Sequence, residues 1–332
     1  MKRTNIYIYI IKILVASIIS LVILSLFCLI YDYSGAKTFD PLCTVDNTTL
    51  PNEYFASMTE GYSWHITDAR GFNNDEVIYS PDILVMGDSQ LEAKQVMRYR
   101  SFAYLLGKYT DMSSYNISVS GHILTRAVNN LDKALAVYSP RYVILDTGSL
   151  VPDNSQMLDV IDRKMERLSP KGTSGITFYL KRIPCVKPIF YALENWIEKG
   201  TAEEEEVSEQ VLEASYSETL RSFLRFISSV CEKNGSRPVI IYHSHGTLEK
   251  DGSLVINSDP GDYERFKGIC NEFGIGFIDV TGDFIKMYEN EHKLPYGFSN
   301  TQVNAGHLNN DGHNLIAHRV SEYILRDSEV DR

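Results

Sequence analysis

From residue 82 onward the chain alternates short apolar runs with helix-length segments, and that alternation leaves few folds open. Residues 82–86 (DILVM) end in Gly87, residues 115–119 (YNISV) are closed by Gly121, and residues 142–145 (YVIL) follow Pro140. Two further runs, 239–242 and 276–280, continue the series. Runs this short and continuous read as strands buried on both faces. Between them lie stretches with apolar residues at helical spacing: up to about 109, then 123–138, 217–233 and 263–273, with a last helix over 310–325. Strands joined by helix-length crossovers make a parallel sheet covered on both sides. The expected fold is therefore α/β, three-layered and doubly wound around a five-stranded parallel sheet. No internal repeat is visible.

The alternation breaks between 150 and 215, where Pro-containing segments, a Tyr/Phe-rich patch and the acidic run 203–206 replace it. This reads as a cap inserted beside the sheet, with the acidic run on a solvated face. The aromatic residues Phe178, Tyr179, Phe190, Tyr191 and Trp196 read as packing of that cap, with stacking on a sugar as the alternative. The other departure is the N-terminus. Residues 13–30 carry no charge, and with Lys12 snorkelling the apolar stretch from 6 to 30 reaches bilayer-spanning length. Lys2 and Arg3 before it and Asp32 after it place the N-terminus in the cytoplasm and the remainder outside. A cleaved signal peptide is the competing reading, with Ser34 and Ala36 as a weak small-x-small site. The expected organisation is an anchor over 1–34, a stalk or N-terminal layer over 35–80, and the α/β domain over 81–332.

Setting aside Lys2, Arg3 and Lys12 leaves 29 basic against 43 acidic residues, a formal charge of −14. Such a domain has no electrostatic means of holding nucleic acid or an anionic membrane surface. Cys43, Cys185, Cys231 and Cys270 lie beyond the anchor without metal-knuckle spacing, so no metal and no cofactor is expected. Their even number permits disulfides whose pairing the sequence does not specify.

In an open parallel sheet ligands bind beyond the carboxyl ends of the strands, and the chemically informative residues fall there. Gly87-Asp88-Ser89-Gln90 follows the first strand. The glycine permits a tight turn, and Ser89 at a helix start presents a nucleophile beside backbone N–H donors, as acyl transfer requires. The plain alternative is a helix N-cap by Asp88 or Ser89. Near the C-terminus, Asn304-Ala-Gly-His307-Leu-Asn309-Asn-Asp-Gly312-His313 precedes the last helix and offers His307 as a base.

With these two blocks in order, the chain resembles the SGNH/GDSL hydrolase superfamily. The matching positions are Gly87-Asp88-Ser89, Gly121, and His307 followed by Asn309, Gly312 and His313. The resemblance implies a flavodoxin-like sheet, Ser89 as nucleophile, His307 as general base, and an oxyanion hole from the N–H groups of Ser89 and Gly121. Two positions depart from it. The residue three before His307, usually Asp, is Asn304, which can still accept from the imidazole. The third block reads Asp146-Thr147-Gly148-Ser149, so the usual Asn donor is missing or replaced by Thr147 or Ser149. Asp88, Gln90, His122 and His243 are expected to touch substrate, while His313 reads as a helix-end packing residue. The implied activity is ester hydrolysis or O-acyl transfer on an exported or cell-surface polysaccharide. A non-catalytic glycan-binding or assembly protein is the alternative.

Overall fold

The computed structural model describes residues 2–33, 35, 37–166, 179, 183–186, 209–256 and 258–330. Helix α1 (Lys2–Tyr31) comes first, and its segment Ile6–Tyr31 is 26 residues of exposed apolar surface. At 1.5 Å per residue that is roughly 39 Å, longer than the ~30 Å hydrocarbon core of a bilayer. The strand β1 (Asp32–Tyr33) begins at the next residue. It pairs antiparallel with β4 (Tyr54–Ser57), which pairs in turn with β5 (Ser63–Ile66). A second small ladder joins β2 (Lys37–Thr38) to β3 (Thr48–Thr49).

This N-terminal layer is fastened to the main domain by buried polar groups. The Arg70 guanidinium pairs with Asp40 and lies over the Tyr138 ring, 5.1 Å from its centroid. The Asp68 carboxylate accepts from the backbone of Arg70 and Phe72, from Asn74 and from the Tyr115 hydroxyl. A buried carboxylate with this many donors is stabilising only while all of them stay in place.

The central sheet contains β6 (Ile83–Met86), β7 (Ser114–Asn116), β8 (Tyr142–Thr147), β9 (Arg237–Tyr242) and, after the hairpin β10 (Thr247–Leu248) and β11 (Leu254–Val255), β12 (Gly276–Asp279). Their order is β7-β6-β8-β9-β12 and every pair is parallel. In sequence rank this is 2-1-3-4-5, the doubly wound order expected. Leu84, Met86, Val143, Leu145 and Ile240 point into one buried cluster, and Ile83, Val85, Ile144, Val239 and Ile241 into the other. Both faces are covered, which is why these runs are continuously apolar rather than alternating.

One face carries α4 (Leu124–Asn129), α5 (Leu131–Tyr138), α7 (Glu209–Lys233) and α8 (Pro260–Glu272), with α6 (Asn154–Ile161) packed on α7. The other carries α3 (Phe102–Thr110), α9 (Thr281–Glu291) and α10 (Asn310–Val330), and the short α2 (Ser89–Glu92) follows β6. The single helix expected over 123–138 is broken at Asn130 into α4 and α5, and α9 was not anticipated. The acidic run and Phe178, Phe190, Tyr191 and Trp196 lie outside the described residues; Tyr179 is exposed. All five cysteines are free thiols.

Candidate active site

Strand β6 has β7 on one side and β8 on the other, so its carboxyl end is the point where the winding reverses and a crevice must open. Ser89 is the first residue of the helix that starts there. Asp88 caps that helix, its carboxylate accepting from Gln90 N–H at 2.7 Å, so the capping reading is correct for Asp88 and leaves the Ser89 hydroxyl free of that duty.

The Ser89 hydroxyl lies 2.9 Å from His307 Nε2. His307 Nδ1 lies 2.8 Å from a Glu60 carboxylate oxygen, and the other Glu60 oxygen accepts the His307 backbone N–H at 2.6 Å. Serine, imidazole and carboxylate thus stand in a line, with the acid contributed from 247 positions upstream. Burial acts to raise the Glu60 pKa, but hydrogen bonds from the His307 ring and backbone outweigh it and hold the carboxyl below its ordinary value.

Asn304, expected to orient the imidazole, does not touch it. Its backbone is left-handed (φ +55°), and its Nδ2 donates to the Gly246 carbonyl at 2.6 Å. It fastens the loop instead, and Glu60 occupies the place the sequence assigns to it. Gly306 makes room for that carboxylate. A Cβ on Gly306 would lie 2.1 Å from the nearer Glu60 oxygen, and its φ of +85° already favours glycine.

The turn that carries Glu60 is clamped. Asn300 accepts from Gly61 N–H at 3.0 Å and donates to the carbonyls of Met58 and Gly61, and the Ser57 hydroxyl donates to the Glu60 carbonyl at 2.8 Å. Gln90, expected to touch substrate, is a second clamp. Its Oε1 accepts from Leu308 N–H at 2.7 Å and its Nε2 reaches the Gly306 carbonyl at 3.5 Å, so it grips the chain on both sides of His307. Asn309 caps α10 by accepting from Asp311 and Gly312 N–H, and donates to the Leu294 and Gly297 carbonyls. That is the physical content of the His-Leu-Asn-x-x-Gly stretch.

Other expected contacts are redirected. His122 is buried against Asp46 at 2.7 Å, away from solvent and the crevice. His243 is also buried, its Nε2 3.0 Å from Asp146 and its Nδ1 2.9 Å from the Tyr296 hydroxyl. The Thr147 hydroxyl donates to the Ser149 carbonyl at 2.6 Å and that of Ser149 to the Val151 carbonyl at 3.2 Å, so neither has a proton left for an oxyanion. Gly121 is exposed with φ +85°. The Ser120 ahead of it is held by Glu92, which accepts its backbone N–H at 3.0 Å and its hydroxyl, tying the loop to the helix of Ser89. His313 is buried in the first turn of α10, as the packing reading has it. Among the described residues no group of three or more His, Cys, Asp or Glu side chains is placed to hold a metal ion.

Sequence reasoning missed Glu60, Glu92 and Asn300. Glu60 sits in an aperiodic stretch with no motif of its own, and the one hint is Gly306, whose missing side chain makes sense only with the carboxylate in view.

The sequence matches no family model and no curated protein. Among solved structures the chain is similar to TesA, with 14% identity and a TM-score of 0.36 over 72% of this chain and 94% of TesA. It is similar to the protein YxiM of Bacillus subtilis, with 13% identity and a TM-score of 0.41 over 80% and 60%. It is similar also to the acetyl xylan esterase AlAXEase, with 13% identity and a TM-score of 0.39 over 73% and 99%. The fold rests on the order and register of the sheet itself, and the site on its own distances.

Proposed function

We propose that the chain is a serine-dependent O-acyl ester hydrolase or acyltransferase working through an acyl-enzyme on Ser89. The observation that carries this is the Ser89–His307–Glu60 line, 2.9 and 2.8 Å between successive polar atoms. His307 Nε2 takes the hydroxyl proton as Ser89 Oγ bonds to the ester carbonyl carbon. The carbon–oxygen bond to the alcohol then breaks, and His307 returns the proton to the departing oxygen. Water or an acceptor hydroxyl, deprotonated by His307 in its turn, attacks the acyl-enzyme and frees Ser89. Glu60, ionised because its pKa is depressed, keeps the Nδ1 proton in place and stabilises the imidazolium.

The N–H groups of Ser89 and Gly121 supply the oxyanion hole. The Thr147 and Ser149 hydroxyls do not join them, being committed to carbonyls; a single side-chain donor is typically worth about 2.7–4 kcal/mol. The alternative of a non-catalytic glycan-binding or assembly protein rests on Asn304 and on the third block; Glu60 on the imidazole takes away the first support, while the committed Thr147 and Ser149 hydroxyls leave the second. The substrate we favour is an acylated cell-surface or exported polysaccharide, reached from a single-pass anchor with its N-terminus in the cytoplasm. The apolar helix and its flanking charges support that topology.

The test is fluorophosphonate labelling of the full-length protein in detergent. Wild type is expected to label at Ser89, and Ser89→Ala and His307→Ala to lose the label. Folded wild type that stays unlabelled would overturn the reading.

A further inference from the structure

Gly121, whose N–H is the second oxyanion donor of the proposed mechanism, belongs to a tight turn. The His122 N–H bonds the Val119 carbonyl at 2.9 Å, and Gly121, third of the four residues, has φ +85°. These are the marks of a type II turn, with the Ser120–Gly121 peptide at its centre. A type I turn closes the same four residues with that one peptide rotated by about half a turn. The ends of the turn therefore leave the direction of the Gly121 N–H open. The turn is tied to both sides of Ser89 in the chain. The Val119 N–H bonds the Gly87 carbonyl at 2.9 Å, and Ser120 donates its N–H and its hydroxyl to Glu92.

One side chain of the N-terminal layer reaches the central peptide. Asn47 Nδ2 donates to the Ser120 carbonyl at 3.2 Å. A trans peptide is planar, so its C=O and N–H point in opposite directions. Holding the Ser120 oxygen toward Asn47 turns the Gly121 N–H away from Asn47, and among the described residues that N–H has no acceptor. Asn47 is itself well placed to hold on. Its backbone is left-handed (φ +59°), which asparagine tolerates better than most side chains, and β3 begins at the next residue. The preceding Asp46 is buried 2.7 Å from the ring of His122, the last residue of the turn. Two consecutive residues thus grip the turn at its centre and at its end.

We infer that Asn47 is a positioning residue for the oxyanion hole: by holding the Ser120 carbonyl it selects the type II turn and aims the Gly121 N–H at the developing oxyanion. The inference rests on the acyl-enzyme reading and adds a residue to it. The N-terminal layer then supplies both the carboxylate that steadies His307 and the contact that sets the oxyanion donor.

Phenyl acetate and its thiono analogue, with C=S in place of C=O, test this on the full-length protein. The two share a leaving group, and sulfur is the weaker hydrogen-bond acceptor, so a well-aimed N–H favours the oxygen ester. Each kcat/KM is divided by the ester's rate with hydroxide, which removes differences in intrinsic reactivity. Asn47→Gly keeps the left-handed backbone and removes the donor. It is expected to lower kcat for the oxygen ester by about tenfold or more with little change in KM, and turnover of the thiono ester by less than about threefold. Asn47→Asp, of the same size but with no donor, gives the same fall in the preference for oxygen. A preference left unchanged in both variants, including a parallel loss on the two esters, marks a merely structural residue; it overturns the inference and leaves the esterase standing. If the wild type labels at Ser89 but turns over neither ester, the rate of labelling is read instead, since the phosphonyl oxygen takes the oxyanion's place. Variants that label at the wild-type rate then overturn the inference. Folded protein that neither labels nor turns over either ester overturns both readings.

Discussion

At the scale of single residues, the site turns on which group steadies the imidazole, and the two possibilities predict different mutants. Glu60→Gln keeps the size and one acceptor oxygen but loses the charge, so ester turnover is expected to fall by about 10²- to 10⁴-fold with little change in KM. Asn304 holds a loop carbonyl and not the ring, so Asn304→Asp is expected to change kcat by no more than about threefold. The reverse pattern in steady-state kinetics would return the role to Asn304. Gly306→Ala is the sharper probe, because its new methyl would have to displace the carboxylate from 2.1 Å at a left-handed backbone position. Loss of turnover close to that of Glu60→Gln is expected, together with about 1–3 kcal/mol of stability, read from denaturant melts.

At the scale of elements, the parts of the site that were legible are those tied to regular structure. The five strands could be read because each is buried on both faces, and Ser89 and His307 because they sit at a strand end and ahead of a helix. Glu60 belongs to a turn whose shape comes from Asn300, from the left-handed Gly61 and from the Gln95 carbonyl against which that glycine packs, and no local pattern announces partners so far along the chain. The same reason hid the clamping role of Gln90, which depends on Gly306 and Leu308. Asn300→Ala should therefore cost about tenfold or more in kcat through misplacement of Glu60, while fluorophosphonate still finds Ser89 slowly. A chain trimmed to residues 81–332 would retain the whole central sheet and still lack the carboxylate, and it is expected to show no more ester turnover than full-length Glu60→Gln.

For the molecule as a whole, protonation sets the acid limit of stability. Burial, aided by the nearby His243 and His307, lowers the His313 pKa to about 3, and burial takes that of His65 to about 4. The unfolded chain takes up those protons near the ordinary histidine value of 6.5, so the stability these residues provide is complete above 6.5 and erodes toward 4 and then 3. Glu92, held near 2 by Lys94 and other partners in spite of burial, adds a loss that begins below about 4.5. Asp88 works the other way, because the fold binds its proton more tightly than the unfolded chain does, and it offsets part of the loss between about 6 and 3.8. Melting temperature should decline from pH 7 to pH 4.5, and less steeply in His313→Asn; a flat profile would contradict the assignment. The buried thiols Cys231 and Cys270, pushed up to about 12, are expected to resist a thiol reagent until the protein unfolds. Helix α1 runs into β1 at Asp32, with the Met58 N–H bonded to the Tyr31 carbonyl and Glu60 two residues beyond. Were α1 retained as an anchor, no leash would separate it from the site: the crevice would ride at a fixed height above the bilayer, and under the proposed function only substrate presented at that height would be acted on.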